Sequence, residues 1–183
     1  MWTTWFYTVG KCYFRKPASK SVLIQNYAAG CTSGLRLIST AKGYENVEWL
    51  LDYSLPNENE AVATLTVCNY GDAPVRTSPG FHPYFPAVGT QFDFNGAPYD
   101  ADYIAHTEFV ASPSDTHVAF DGMKLDIRTQ NLPVYALWSD RNGQYTCAEP
   151  TAEGNAFLSP ARGGQFVSGH GKKHYGMKIR LIA

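Results

Sequence analysis

The chain is 183 residues long, a length that fits one domain and lets the folded protein bury about 70 % of the surface that the unfolded chain exposes. Hydrophobic residues make up 44 % and charged residues 17 %, and the formal net charge is −1. These values exclude a disordered chain and a basic nucleic-acid binder, so a neutral small molecule is the expected partner.

Targeting signals and cysteine pairs are not indicated. The N-terminal residues lack a basic stretch followed by an apolar core, and no run of about 18 apolar residues occurs, so we expect neither a signal peptide nor a membrane span. The absence of any Cys-x-x-Cys spacing argues against a zinc site and a disulfide framework. We expect free thiols in a cytoplasmic protein; the cysteines are Cys12, Cys31, Cys68 and Cys147.

Apolar residues recur with period two along most of the chain and rarely with period 3.6. This pattern is typical of antiparallel sheets with one buried face. In residues 46–55, for example, Val47 and Leu51 lie on the face predicted to be buried, and Glu48 and Asp52 lie on the other. Strands are predicted over 21–27, 35–39, 46–55, 61–70, 75–78, 91–94, 107–111, 118–120, 123–128, 134–139, 144–149 and 177–182.

Glycine, asparagine, aspartate and proline separate these strands. The dipeptides at 95–96 (Asn-Gly) and 121–122 (Asp-Gly) favour tight hairpin turns. Residues 99–103 and the glycine-containing stretch 169–173 are predicted to be loops. Since we find no internal repeat and no linker, we predict a single all-β domain over residues 1–183, built as a β-sandwich or an open barrel.

The segment 79–86 reads PGFHPYFP and holds His82 with little backbone freedom. Proline and glycine break the strand before it, and Pro83 biases His82 towards extended geometry. Apolar neighbours lower the pKa of a histidine by desolvation, and a histidine that titrates near neutrality both gives and takes protons. The alternative is a core histidine at a kinked corner, with both ring nitrogens satisfied.

Glu149 is the second candidate for acid–base chemistry. It ends the predicted strand 144–149 and is followed by Pro150. A carboxylate in such an apolar setting is rarely buried without a role or a partner. The alternatives are a charge that protects an edge strand or the partner of a nearby arginine.

Two segments, GFHPYF at 80–85 and CAEPT at 147–151, carry a resemblance to a known family. Together with NAF at 155–157 and YALWSD at 135–140, they resemble the signature segments of the aldose 1-epimerase (galactose mutarotase) family and its mutarotase-like relatives. The separation of 67 residues between the histidine and the glutamate is also similar.

The resemblance implies a large, twisted, antiparallel β-sandwich, the galactose mutarotase-like supersandwich, with a site in the concave face of one sheet. It also implies that His82 acts as general acid on the ring oxygen of a sugar and that Glu149 acts as general base on the anomeric hydroxyl. We expect the two groups to flank the sugar on either side. Acid–base ring opening of this kind requires no cofactor.

Three further residues are candidate sugar contacts. The family uses an aspartate, for which Asp102 is preferred here over Asp100. Trp138 would stack on the apolar face of the sugar ring, although a tryptophan in a sandwich strand is also a common core residue. Tyr84, two residues after His82, is the third candidate.

The front of the chain departs from the family pattern. Family members usually begin with a longer front portion of strands, which carries an arginine and a second histidine for sugar binding. No equivalent is assigned here, and Arg36 is the early arginine that lies in a predicted strand. Missing front strands would leave sheet edges that need protection by shortening, by charge or by a second subunit, so a homo-oligomer is expected.

The function implied by the resemblance is an aldose 1-epimerase that interconverts the α and β anomers of an aldohexose. A non-catalytic carbohydrate-binding sandwich, a hexose-phosphate epimerase and a purely structural sandwich are the alternatives. The arginines are too dispersed to indicate a phosphate site, and no metal site is predicted. The other histidines are predicted to be surface or structural residues: His106, His117, His170 and His174.

Overall fold

The computed structural model describes residues 25–26, 32–86, 91–100, 106–120, 122–139, 145–155 and 164–182. This part of the chain is built of β-strands and contains no α-helix, which confirms the all-β prediction. Accordingly, none of the described residues form a helix able to cross a membrane. The strands are β1 (Gln25–Asn26), β2 (Thr32–Ile38), β3 (Val47–Asn57), β4 (Glu60–Asn69), β5 (Val75–Thr77), β6 (Tyr84–Pro86), β7 (Gln91–Phe94), β8 (Ala97–Asp100), β9 (Glu108–Ala111), β10 (Asp115–Phe120), β11 (Met123–Gln130), β12 (Val134–Trp138), β13 (Tyr145–Thr151), β14 (Gln165–Val167) and β15 (Lys172–Ile182).

The larger sheet has the strand order β1-β2-β3-β4-β15-β11-β10-β7-β8 among the described residues. All of its neighbouring strands are antiparallel. The last strand, β15, lies in the middle of this sheet between β4 and β11. The C-terminal strand therefore joins the two halves of the sheet.

The smaller sheet has the order β6-β13-β12-β9 and is also antiparallel. In it, β13 lies between β6 and β12, so Cys147 is opposite Tyr84 on one side and opposite Trp138 on the other. A separate pair, β5 and β14, completes the described strands. This arrangement brings the two sequence segments of the candidate site onto adjoining backbone.

The two sheets pack face to face through their apolar side chains. Phe94 on β7 contacts Tyr135 on β12 with ring centroids 5.1 Å apart, and Phe85 on β6 contacts Phe120 on β10 at 5.4 Å. The period-two pattern explains this core, since alternate residues of each strand point to the shared interior. Other buried members of the same cluster are Leu65, Val67, Ile127, Leu137 and Tyr175.

Two predicted loops are strands in part. The Asn95-Gly96 hairpin is as predicted, with φ of 54° and 82°, but the returning strand β8 runs to Asp100, so a loop beginning at residue 99 is wrong. The physical reason is that Tyr99 stacks on Phe92, with centroids 5.6 Å apart, and so extends the pairing. Residues 101–103 lie outside the described residues.

The loop predicted at 169–173 is also shorter than expected. The strand β15 begins at Lys172 rather than at residue 177, because the backbone pairing with β4 runs from Cys68 to Glu60 without interruption. Gly176 lies within this strand, opposite Thr64, and does not end it.

Glu48 is the exception to the predicted alternation of β3. It was predicted to lie on the solvent face, yet it is only 6 % exposed. Arg36 on β2 forms an ion pair with its carboxylate, and the Tyr70 hydroxyl donates a hydrogen bond to it at 2.6 Å. The Tyr70 hydrogen bond, with the Arg36 charge, holds the pKa of Glu48 below its usual value. Glu48 therefore stays ionised although it is buried.

Candidate active site

Backbone hydrogen bonds join the His82 segment to the end of β13. The Phe81 amide donates to the Pro150 carbonyl at 3.0 Å, and the Ala152 amide donates to the Pro79 carbonyl at 2.8 Å. Between them, Gly80 forms an isolated β-bridge with Thr151. These bonds fix the position of His82 relative to β13, which carries Glu149.

Gly80 is required by this close approach. A Cβ atom at this position would lie 3.0 Å from Thr151 Cγ2 and 3.2 Å from the Pro150 carbonyl oxygen. Both separations are tighter than those that side chains ordinarily tolerate, so a larger residue would push the segment away from β13. The glycine of the GFHPYF segment thus has a packing reason in this fold.

His82 and Glu149 are in direct contact. His82 Nε2 lies 3.1 Å from Glu149 Oε1, and the two side chains are 21 % and 16 % exposed. The buried Nε2 atom makes no hydrogen bond within the described part of the chain. The ring and the carboxylate are therefore close but not aligned for a hydrogen bond. The pair is therefore close enough to share protons, and Nε2 retains hydrogen-bonding capacity for a ligand.

The two groups adjoin rather than face each other across a sugar-sized gap. Sequence reasoning placed them on either side of a pyranose, whereas the Gly80–Thr151 bridge brings both to one side. The physical reason is that His82 follows the bridge by two residues and Glu149 precedes it by two.

Burial sets the acid–base properties of both groups. It raises the pKa of Glu149 to about 7, because the carboxylate is removed from water. It lowers the pKa of His82, again by desolvation, since the charged imidazolium is the form that burial disfavours. Glu149 consequently changes protonation near neutral pH, and His82 does so below its ordinary pKa, so the pair offers one proton acceptor and one proton donor.

Three aromatic rings surround the pair. Tyr84 stacks on the His82 ring with centroids 4.7 Å apart, and Trp138 contacts the same ring edge-on at 5.9 Å. Tyr145 contacts Tyr84 at 5.0 Å and Trp138 at 6.3 Å. The predicted site residues Tyr84, Trp138 and Glu149 therefore lie together on the smaller sheet, with His82 just before its strand β6.

Tyr145 was missed by sequence reasoning. It lies four residues before Glu149 on the same strand, so period two places both side chains on one face of β13. The period-two pattern of this strand could have predicted that Tyr145 lies beside the site.

Cys147 lies between Tyr145 and Glu149 on the same face of β13. It is fully buried, whereas Glu149 reaches the surface in part. One ligand atom each from His82, Cys147 and Glu149 lies within 4.8 Å of the others. Local sequence spacing does not predict this cluster, because His82 is far from Cys147 and Glu149 in the sequence.

The remaining candidates lie elsewhere. Asp102, predicted to bind sugar, lies outside the described residues. His117 is paired with Asp126 at 2.6 Å and His170 with Asp72 at 2.8 Å, both at the surface, and His174 contacts Thr66 at 2.9 Å. None of these three histidines belongs to the cluster around Glu149.

An apolar cavity of about 190 Å³ lies behind the site, between the two sheets. Pro83, Tyr84 and Phe85 line one side of it, and side chains of the larger sheet such as Met177 and Ile179 line the other. Neither His82 nor Glu149 borders this cavity. It is therefore a pocket separate from the His82–Glu149 pair.

No protein-family model matches the chain, and no curated protein matches it. Among solved structures, it is similar to Slr1438 from Synechocystis sp. PCC 6803, with a TM-score of 0.66 and 17 % identity over 88 % of this chain and 65 % of that one. A galactose mutarotase-like protein from Lactobacillus casei has a TM-score of 0.69 and 13 % identity, over 88 % of this chain and 73 % of that one. An aldose epimerase homologue from C. elegans has a TM-score of 0.67 and 10 % identity, over 89 % of this chain and 69 % of that one.

These likenesses establish the fold, a galactose mutarotase-like β-sandwich. The resemblance inferred from the two sequence segments is confirmed at that level. The chain spans about two thirds of the length of the three structures.

Proposed function

We propose that the protein is an aldose 1-epimerase-like isomerase that interconverts the α and β anomers of a neutral aldohexose, with no nucleic-acid or membrane partner. The observation that carries the proposal is the 3.1 Å contact between His82 Nε2 and Glu149 Oε1 beneath a group of aromatic rings. A proton donor and a proton acceptor are thereby held side by side.

The reaction needs one proton to leave and one to arrive. Glu149 takes the proton of the anomeric hydroxyl O1 while His82 gives a proton to the ring oxygen O5, and the C1–O5 bond breaks to leave the open-chain aldehyde. Rotation about C1–C2 followed by the reverse transfers closes the ring on either face. No electron transfer is involved.

The adjacency of the two groups is compatible with this chemistry. O1 and O5 are bonded to the same carbon, so both oxygens lie on one small edge of the sugar. An acid and a base that adjoin each other can reach them together, provided that the sugar presents this edge to the pair. A gap as wide as a pyranose between the two residues is not required.

The aromatic rings supply a sugar-binding surface. Trp138 and Tyr145 lie beside the pair, and flat apolar rings of this kind stack on the C–H faces of sugars. Tyr84 holds the His82 ring in place by stacking on it. We assign sugar contact to Trp138 and Tyr84, and add Tyr145 to them.

Three of the arginines in the described part of the chain are paired with carboxylates, which favours a neutral sugar over a sugar phosphate. Arg76 is paired with Glu153, Arg36 with Glu48 and Arg128 with Asp115. Phosphate binding usually requires arginines that are free to make bidentate contacts, and these three are already engaged by carboxylates.

The test is the rate at which freshly dissolved α-glucose or α-galactose approaches its anomeric equilibrium, followed by polarimetry. We expect the protein to accelerate the exchange above the spontaneous rate in proportion to its concentration. Calorimetry with the same sugars provides the second readout. Sugar binding without acceleration would favour a non-catalytic carbohydrate-binding domain, and the absence of both would overturn the assignment to sugars.

A further inference from the structure

We propose that His82, Cys147 and Glu149 form a three-ligand site for a zinc-like divalent cation. The three side chains present a ring nitrogen, a thiol sulfur and a carboxylate oxygen, all within 4.8 Å of one another. These are the three donor types that Zn²⁺ takes in proteins.

The distances fit tetrahedral coordination after small side-chain shifts. Metal–ligand bonds of about 2.0–2.3 Å at tetrahedral angles place neighbouring donor atoms about 3.3–3.8 Å apart. The His82–Glu149 separation of 3.1 Å is just below that range, and the other pairs lie within 4.8 Å. Side-chain rotations that move each donor atom by about 1 Å would bring these separations into the tetrahedral range.

The ligands are held in place before any ion binds. Cys147 and Glu149 are two residues apart on β13, so the strand itself points both side chains to the same face. The His82 ring is fixed by Tyr84 on one face and by the edge contact with Trp138. Little conformational entropy is lost on binding, which favours affinity.

The site also has an entrance. Cys147 lies fully buried at its floor, whereas the side chains of His82 and Glu149 are 21 % and 16 % exposed. The His82 Nε2 atom itself is covered from solvent, so an ion enters as the imidazole or the carboxylate shifts. Three protein ligands leave the fourth position of a tetrahedral zinc site to a water molecule.

The thiol selects among cations. Mg²⁺ and Ca²⁺ prefer sets of oxygen ligands, whereas sulfur and imidazole favour Zn²⁺ and Co²⁺. On binding, the Cys147 thiol proton is released to solvent and the sulfur coordinates as thiolate. The inference depends on these three donor atoms and not on sugar turnover, so it stands or falls separately from the proposed isomerase activity.

The experiment is a titration of the purified chain with Co²⁺ alone, followed by Zn²⁺ alone. We expect one Co²⁺ per chain with a thiolate-to-cobalt charge-transfer band in the near ultraviolet, and displacement of Co²⁺ by Zn²⁺. Cys147→Ser should abolish the band and weaken Zn²⁺ binding by more than about tenfold, a loss seen even for outer-shell partners of metal ligands. Cys68→Ser, at the other cysteine of the described residues, is the matched control and should change neither.

The absence of a charge-transfer band at millimolar Co²⁺ would overturn the proposal, as would a band that persists in Cys147→Ser. Circular dichroism establishes whether each variant is folded. Should Cys147→Ser fail to fold, Glu149→Gln decides the matter, because it keeps the shape of the side chain and removes one ligand. Unchanged Zn²⁺ affinity in that variant would contradict the site.

Discussion

His82 and Glu149 are 67 residues apart in the sequence, yet their Nε2 and Oε1 atoms lie 3.1 Å apart at the end of one strand of the smaller sheet. The strand β13 alone does not determine this contact, since His82 precedes β6 and lies in no strand. The contact exists because Gly80 lets the segment before His82 pair with Thr151, two residues beyond Glu149.

The catalysed rate should depend on pH as a bell. Glu149 must be ionised to act as base, and its ionised fraction declines as the pH drops below its raised pKa of about 7. His82 must be protonated to act as acid, and its protonated fraction declines as the pH rises through its lowered pKa. The maximum therefore lies below pH 7, between the two pKa values.

The measurement is the anomer exchange rate from pH 5 to 8, with the spontaneous rate subtracted and a chelator present to keep metal ions off the site. A catalysed rate that keeps rising up to pH 8 would contradict these assignments of acid and base.

Gly80→Ala should destabilise the fold and reduce activity. The added Cβ meets Thr151 and the Pro150 carbonyl at 3.0 and 3.2 Å, and overpacking of this kind costs about 1–3 kcal/mol. Displacement of His82 by a fraction of an ångström should lower the exchange rate by about tenfold or more. Gly176→Ala is the control, since its Cβ would meet Gln130 at an ordinary 3.5 Å. Equal effects of the two substitutions on urea unfolding would refute the packing argument for Gly80.

Glu149→Gln should stabilise the protein at pH 8. The folded-state pKa of about 7 lies above the unfolded value of 4.5, so ionised Glu149 costs free energy above pH 7, and this cost declines as the pH falls from 7 towards 4.5. A neutral amide removes the penalty, for a gain of about 1–3 kcal/mol at pH 8 that vanishes near pH 4.5. Urea unfolding at both pH values measures it. A gain of the same size at both would show that ionisation is not its origin.

The ion pair between Arg76 and Glu153 should contribute to the stability of the fold by connecting the two chain segments that carry the site. Arg76 on β5 precedes His82 by six residues, and Glu153 follows Glu149 by four, so this pair joins the two halves of the site. Their Nη2 and Oε2 atoms are 2.9 Å apart, and the carboxylate is only 8 % exposed.

Glu153→Gln removes the carboxylate charge that is paired with Arg76 and should cost about 2–4 kcal/mol in chemical unfolding. In the exposed pair of Arg128 and Asp115, whose side chains are 70 % and 63 % exposed, Asp115→Asn should cost less than about 1 kcal/mol. A smaller loss for Glu153→Gln than for Asp115→Asn would reverse this ranking.

The fold was largely predictable because it follows from local patterns. Period-two alternation identified most strands, and Asn95-Gly96 fixed a hairpin by adopting positive φ at both residues. Burial that depends on distant partners was not predictable: Glu48 lies on the predicted solvent face but is covered by Tyr70 and Arg36. The early part of β15 was missed because Gly169 and Gly171, just before it, suggested a loop through residue 173, whereas pairing with β4 begins at Lys172.

The site was predictable only in outline. The segments around His82 and Glu149 were identified from their sequence, and the structure places the two side chains in contact. Their arrangement on one side, and the presence of Cys147 in the same cluster, depend on which strands are neighbours. The local spacing of residues does not predict such long-range strand pairings.

The measurement that tests the central claim most directly is the anomer exchange rate of Glu149→Gln and His82→Asn beside the unaltered protein. We expect the unaltered protein to accelerate exchange and each substitution to reduce the catalysed rate by about 10²–10⁴-fold, the usual contribution of a general acid or base. His117→Asn, at a surface histidine paired with Asp126, should leave the rate unchanged. Exchange that is equally fast in Glu149→Gln and in the unaltered protein would contradict the account.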